Sequence, residues 1–141
     1  MRFLSALAIA RKVDLTSFTA PTPLFIKGDL IQLQQVLLNL IVNAIDAMSD
    51  MPSAERRITV STARDGNSAE LSVSDVGPGI PVDRLKEMFE PFYTTKPQGM
   101  GMGLSIARTI VEAHSGQLSA ENLAGRGAVF RIRLPLAMLP K

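Results

Sequence analysis

The sequence contains no cysteine and only one histidine among its 141 residues. A chain without cysteine can form neither a disulfide scaffold nor a zinc site built on thiolates. No stretch approaches the roughly 20 consecutive apolar residues that a membrane-spanning helix needs. The 15 basic and 13 acidic residues give a formal charge of +2, which is too balanced to indicate a nucleic-acid partner. We therefore expect a single domain over residues 1–141, in a cytoplasmic location.

The pattern of residue types predicts a two-layer α/β sandwich, in which helices cover one face of a mixed, mostly antiparallel sheet. Helices are predicted over residues 2–11, 30–48 and 103–115, the second with Asp29 as its N-cap. The predicted strands are 13–15 and 24–26 around a proline turn, then two hairpins, 58–62 with 70–74 and 117–122 with 128–134. A secretory signal at the N-terminus is disfavoured, because Arg11 and Lys12 end its short apolar run.

Glycine alternates with methionine in TTKPQGMGMGLS, residues 94–105. Such spacing wastes backbone entropy unless another group must approach the chain closely. The dinucleotide fingerprint does not fit, because Ile106 stands where its third glycine belongs, and no Gly-Lys-Ser/Thr follows as in a P-loop. The glycines lie where a loop enters a helix, and a helix N-terminus favours an anion such as phosphate. A different kind of nucleotide site, or a flexible hinge, remains.

The helix predicted over residues 30–48 is apolar nearly all round except for one polar stripe. At about 100° per residue, five polar side chains fall within about 80° of its surface: Gln32, Gln35, Asn39, Asn43 and Asp46. An unpaired buried polar group costs about 1–3 kcal/mol, so a buried stripe must face hydrogen-bond partners. The alternative is the exposed face of an ordinary amphipathic helix, but the stripe has no lysine or glutamate, which favours a cavity.

Asp75 ends a predicted strand on the wrong face for a charged residue. Period-two alternation puts it on the same side as Leu71 and Val73, toward the core. A buried carboxylate needs a hydrogen-bond donor. Gly77 and Gly79 follow at once, so the chain there either turns tightly around a capping aspartate or approaches a ligand.

In this order, these segments resemble the catalytic, ATP-binding domain of bacterial sensor histidine kinases, which shares a superfamily with DNA gyrase B, the MutL repair protein and the large heat-shock chaperone. The resemblance covers about residues 29–135. The matching segments are the N box QQVLLNLIVNAIDA (34–47), the first glycine box DVGPGI (75–80), the F box FEPFYTTK (89–96), the second glycine box GMGMGLSIARTIVEAHSGQL (99–118) and the last strand GRGAVFRIRLP (125–135). The TTK and NAIDAM sequences are most similar to those of kinases of the nitrogen- and oxygen-sensing type. A Bergerat-type ATP-binding fold is implied.

The resemblance also implies roles for the matching residues. Asn43 would ligate Mg²⁺ through its amide oxygen, and Asn39, one turn earlier, would lie near the phosphates. Asp75 would accept a hydrogen bond from the exocyclic amine of adenine. Lys96 would contact the γ-phosphate from a mobile lid over residues 90–102. The other nucleotide contacts implied are Ala47, Gly77, Gly79, Ile80, Phe92, Thr95, Gly99, Gly101, Met102, Gly103 and Leu104.

Asn39 separates a kinase from an ATPase. In the gyrase and MutL branch a glutamate at this position activates water, whereas an amide is no general base. The resemblance therefore implies transfer of the γ-phosphoryl group from Mg-ATP to a histidine on a separate dimerisation domain of the same kinase, and onward to a response regulator. His114 is expected to pack and cap a helix end, not to accept phosphate. The chain is expected to be a monomeric fragment of a larger kinase, without nucleic-acid or membrane contact of its own.

Two other functions stay open. Anti-sigma-factor serine kinases are small domains of similar length, although the F-box wording argues against that branch. A degenerate, non-catalytic nucleotide-binding module is the second, and the intact Asn43 and Asp75 argue against it. Two positions depart from the family pattern: Asp46 stands where many relatives have lysine or arginine, and Ala128 where a threonine often lies near adenine.

Overall fold

The computed structural model describes residues 14–18, 26, 28–80 and 103–136. Seven main elements lie in these ranges: strand β1 (Asp14–Phe18), helix α1 (Leu30–Ala47), strands β2 (Arg57–Asp65) and β3 (Ser68–Asp75), helix α2 (Gly103–Ala113), and strands β4 (Gln117–Asn122) and β5 (Ala128–Pro135). A single 3₁₀ turn at Ser53–Glu55 precedes β2. The predicted helix 2–11 and most of the loop that follows Gly77 lie outside the described residues.

The strands form one five-stranded sheet in the order β1-β2-β3-β5-β4. β1 runs parallel to β2, and the other neighbours are antiparallel, so the prediction of a mixed, mostly antiparallel sheet is confirmed. Both predicted hairpins are present. The predicted strand 24–26 is not seen at Ile26, which has no regular structure, and its other two residues lie outside the described ranges.

The core lies between the two helices and one face of the sheet. Alternate strand residues such as Ile58, Val73 and Phe130 point into it and are almost fully buried. They meet Leu40 of α1 and Val111 of α2 in one apolar cluster. This arrangement is the predicted two-layer sandwich. Within the described residues, no helix is both long and apolar enough to cross a membrane.

Helix α1 begins at the predicted N-cap, because the Asp29 carboxylate accepts a hydrogen bond from the Gln32 N–H at 3.0 Å. The apolar residues of this helix predict that it is buried, and that prediction is wrong for its first turns, where Ile31 is 78% exposed. The buried face begins at Val36. Helix α2 has only 11 residues against the 18 of α1, so it is too short to cover the whole length of its neighbour.

His114 joins the end of α2 to the start of α1. Its Nε2 accepts a hydrogen bond from the Asp29 N–H at 3.0 Å, and its Nδ1 lies 2.8 Å from the Ile110 carbonyl oxygen. An acceptor at Nε2 and a carbonyl at Nδ1 assign the proton to Nδ1. A side chain at Gly28 would collide with this ring. The predicted role of His114, packing and capping at a helix end, is confirmed.

Candidate functional site

Asp75 is the last residue of β3, and its side chain is only 3% exposed. Its Oδ1 accepts a hydrogen bond from the Gly77 N–H at 2.8 Å, and the Ala128 N–H also donates to the carboxylate. Burial raises the pKa of this carboxyl above its usual 3.8, and the two backbone hydrogen bonds oppose that shift only in part. The structure thus keeps a carboxylate in the core where an apolar residue would pack more readily, as the strand pattern predicted.

Gly77 brings the segment after Asp75 against the end of α1. A Cβ at this position would lie 3.1 Å from the carbonyl oxygen of Ala47 and 3.1 Å from Asp75 Oδ1. Both distances are tighter than ordinary van der Waals contact, so a side chain would push the two segments apart. The first glycine box and the last turn of the N-box helix are therefore in contact, which brings together Ala47, Asp75 and Gly77 of the predicted site.

The polar stripe of α1 is exposed at its start and half-buried farther along. Gln32 and Gln35 are exposed, whereas Asn39 and Asn43 are half-buried. Asn39 Oδ1 accepts a hydrogen bond from Gln35 Nε2 at 2.8 Å. Asn43 makes no side-chain hydrogen bond with any residue that the structure describes, and it lies one turn before Ala47. The part of the stripe near the glycine box is the part that offers an unsatisfied amide.

Helix α2 starts at Gly103, and Leu104 in its first turn packs against the core. Because α2 lies beside α1 and its C-terminal end contacts Asp29, its N-terminal end points toward the half of α1 that carries Asn39. The first N–H groups of a helix have no partner within the helix and favour an anion. The start of α2 is thus chemically suited to an anion such as phosphate, near the half of α1 that carries Asn39.

Six of the predicted site residues lie outside the described residues: Phe92, Thr95, Lys96, Gly99, Gly101 and Met102. The F box and the predicted lid over residues 90–102 lie there too. Their roles stay predictions.

Asn122, at the end of β4, contacts the same loop and was missed by the sequence reasoning. Its Oδ1 accepts a hydrogen bond from the Ile80 N–H at 2.6 Å, and its Nδ2 donates to the Ile80 carbonyl oxygen at 2.8 Å. Ile80 and Gly79, both predicted site residues, are thereby held beside β4. No local signal marks this asparagine, because its partner is 42 residues away in the sequence.

The donor set suits Mg-ATP better than a metal held by the protein alone. Across the described ranges, no three His, Cys, Asp or Glu side chains converge on a metal-sized site. Mg²⁺ often takes only one or two oxygen ligands from protein and the others from phosphate and water. The Asn43 amide oxygen is a ligand of that kind, and the buried Asp75 carboxylate beside Gly77 can accept a hydrogen bond.

A two-layer sandwich with a buried carboxylate at a strand end and amides on the neighbouring helix defines a nucleotide-binding class of protein. The chain belongs to the family of histidine kinase-, DNA gyrase B- and HSP90-like ATPases, whose sequence profile matches residues 28–138. The predicted family is confirmed, and ATP is the nucleotide that this family uses.

Similar proteins are sensor histidine kinases. The chain is 46% identical over 110 residues to the sensor protein FixL of Bradyrhizobium diazoefficiens, covering 78% of this chain and 22% of FixL. It is 32% identical to the nucleotide-free catalytic domain of the histidine kinase ThkA, with a TM-score of 0.81 over 95% of this chain and 86% of that one. Another structure of ThkA is a complex with the response regulator protein TrrA.

A third similar structure is full-length ShkA in complex with AMPPNP, at 30% identity and a TM-score of 0.79, covering 99% of this chain and 30% of ShkA. These structures confirm the predicted fold. The chain spans between 13% and 30% of the length of eight curated relatives that it matches.

Proposed function

We propose that this chain binds Mg-ATP and supplies its γ-phosphoryl group to a histidine on a separate dimerisation domain, as the catalytic part of a larger two-component kinase. The family and the kinase relatives support this function. The observation that carries it is the buried carboxylate of Asp75, held beside Gly77 at the end of the N-box helix.

Asp75 would recognise the adenine base. A charged carboxylate accepts hydrogen bonds and donates none, so it selects a base that presents an amine at that point. Burial removes competing water and makes the hydrogen bond more selective. Gly77, Gly79 and Ile80 would lie along the base, in the segment that follows Asp75.

The amides of α1 would hold the other end of the nucleotide. Asn43 would ligate Mg²⁺ and Asn39 would lie beside the phosphates, with the first N–H groups of α2 at Gly103 and Leu104 as further anion contacts. When bound, Mg²⁺ would neutralise phosphate charge. We propose that Lys96 reaches the γ-phosphate and that the lid, residues 90–102, closes over the nucleotide through Phe92, Thr95, Gly99, Gly101 and Met102.

The site is suited to phosphoryl transfer and poorly suited to hydrolysis. Asn39 cannot remove a proton from water, because a carboxamide is not a base. An imidazole nitrogen of the acceptor needs no such help: it forms a bond to the γ-phosphorus while the bond to the β–γ bridging oxygen breaks and ADP leaves. Positioning and charge neutralisation carry most of the catalysis in such a transfer.

The proposed partners follow from that reaction. The first is the dimerisation domain that carries the acceptor histidine, and the second is a response regulator, reached through the full-length kinase. The complex of ThkA with TrrA supports a partner of the second kind. We place the reaction in the cytoplasm, where ATP is available, with the isolated chain as a monomer.

The proposal is tested by supplying the acceptor. The chain is incubated with Mg²⁺ and ATP labelled at the γ-phosphate, together with the dimerisation domain of its kinase as a separate protein. We expect label on the dimerisation domain that is stable to alkali and lost in acid, as a phosphorus–nitrogen bond requires. Asp75→Asn should abolish the transfer, and the matched surface change Asp50→Asn should leave it intact.

Label that survives acid would indicate a hydroxyl acceptor and a serine kinase. A chain that binds Mg-ATP but labels no acceptor would indicate a non-catalytic module. Either result contradicts the proposed function.

A further inference from the structure

The carboxamide of Asn122 pairs with the main chain of Ile80 in the way that a neighbouring strand would. One hydrogen bond of 2.6 Å satisfies the Ile80 N–H and one of 2.8 Å satisfies the Ile80 carbonyl oxygen. An amide side chain offers one acceptor and a donor group in a fixed plane, which matches the two groups of a peptide backbone. Asn122 itself is exposed, at the last paired position of β4, opposite Ala128.

The loop from Asp75 to Ile80 is thereby fixed at both ends. At its first end, Asp75 accepts hydrogen bonds from Gly77 and Ala128, and a side chain at Gly127 would overlap the Asp75 carbonyl oxygen. At its second end the contact is the Asn122 amide. Between these two contacts, only the two glycines, Val76 and Pro78 can change their backbone conformation.

Gly79 shows how closely the second contact is fitted. Its φ of +88° lies in the left-handed region that favours glycine. A Cβ there would lie 2.8 Å from Asn122 Oδ1, so any other residue would displace the amide. The glycine and the asparagine therefore form one contact, in which the bare backbone allows the amide to approach.

We propose that Asn122 is a positioning residue for nucleotide recognition: by holding Ile80, it sets the loop against the base while touching no part of the reacting phosphates. This inference rests on the proposed ATP site. Loss of the amide frees the second end of the loop and leaves Asp75 in place, so the site should lose discrimination between bases as well as affinity.

The test compares wild type, Asn122→Ala and Asn122→Asp in titrations with Mg-ATP, Mg-ADP and, by competition, Mg-GTP. Asn67→Ala is the matched control, because Asn67 is exposed in the hairpin turn at the opposite end of β3. Thermal unfolding of each variant identifies the temperature at which all are folded. Aspartate keeps the size and the acceptor but lacks the donor, so it also tests the contact if the alanine variant folds poorly.

We expect Asn122→Ala to bind ATP about tenfold more weakly than wild type, which corresponds to about 1.4 kcal/mol. Its affinity for ADP should fall by the same factor. The ratio of ATP to GTP affinity should narrow. Asn122→Asp should also bind ATP more weakly than wild type, because a carboxylate oxygen would face the Ile80 carbonyl oxygen where the amide now donates. A purely structural role would weaken all three nucleotides equally and leave that ratio unchanged.

The inference is overturned if wild type binds ATP and Asn122→Ala binds it within twofold, or if ATP and GTP weaken by one factor. A wild-type chain that binds no ATP would overturn the proposed function itself, and this inference with it.

Discussion

At the scale of single residues, the fold gives up stability to place the carboxyl group of Asp75 in the core. A buried carboxylate loses its hydration, and two backbone N–H groups repay that loss only in part, since its pKa remains raised. Nothing in the packing of β3 requires a charge at this point, because the neighbouring core residues are apolar. An interaction outside the fold, such as a hydrogen bond from a base, is the reason we give for the carboxylate.

The raised pKa predicts how Asp75 affects stability with pH. Between 3.8 and the raised value, the folded chain binds more protons at Asp75 than the unfolded chain does, so this residue's contribution to stability falls as pH rises through that window. Asp75→Asn removes the titration. We therefore expect the free energy of unfolding of the variant, minus that of wild type, to increase with pH across the window and then stay level. The slope should be at most about 1.4 kcal/mol for each pH unit, the value for a difference of one bound proton.

Urea unfolding at a series of pH values measures this difference. Asp50→Asn, the same chemical change at an exposed carboxylate, is the control. If the difference in unfolding free energy stayed constant or decreased as pH rises, burial of the Asp75 carboxylate would not reduce stability.

Among the residues of the site, those that depend on local pattern could be predicted. Period two placed Asp75 on the core face, and helical spacing placed Asn39 and Asn43 on one stripe. Asn122 could not be found in this way, because its hydrogen bonds join the end of β4 to the loop after β3, and the pairing of β3, β5 and β4 decides that these segments are close. Lys96 remains a prediction in a part of the chain that the structure does not describe.

At the scale of elements, helix α2 ends in a C-capping motif in which serine stands where glycine is usual. The Gly116 N–H donates to the Val111 carbonyl and the Ser115 N–H to that of Glu112, which is the Schellman pattern. Ser115 occupies the left-handed position with a φ of 63°, the one positive value outside glycine in the described ranges. Glycine normally occupies this position because it has no Cβ.

Ser115→Gly should therefore stabilise the protein, by about 0.5–1 kcal/mol. The side chain is exposed, so its loss removes little packing. Chemical denaturation of the variant and of wild type gives the difference. Ser49→Gly, in the turn after α1 where φ is not positive, is the matched control and should destabilise. Equal effects of the two changes would contradict the backbone argument.

The order of elements could be predicted better than their partners. Alternation and turn residues identified both hairpins, because their strands are close in sequence. The pairing of β1 with β2 was not predicted, because parallel strands are not joined by a short turn that the sequence would reveal. The paired residues Asp14 and Arg57 lie 43 positions apart in the sequence. The exposed first turns of α1 were also missed, because the apolar residues of this helix, such as Ile31, do not show by themselves which turns the rest of the fold covers.

At the scale of the whole molecule, the candidate site is assembled from segments that span most of the described chain. His114 ties the two helices together, Gly77 sets the first glycine box on α1, and Asn122 ties that box to the far edge of the sheet. The opposite face of the sheet carries a network of partly exposed charges instead, in which Arg131 meets Glu70 and Glu121. Exposed pairs contribute about 0–1 kcal/mol each, so this face offers solubility more than stability.

The central claim is that these segments form an ATP-binding site in which Asp75 recognises the adenine base. Calorimetric titration of ATP into the purified chain, with Mg²⁺ and then with EDTA, tests it most directly when Asp75→Asn is titrated beside wild type. We predict micromolar binding that weakens in EDTA and a loss of at least about 100-fold in the folded variant, which corresponds to about 2.7 kcal/mol. The claim would be contradicted if Asp75→Asn bound ATP as tightly as wild type, or if wild type bound no ATP.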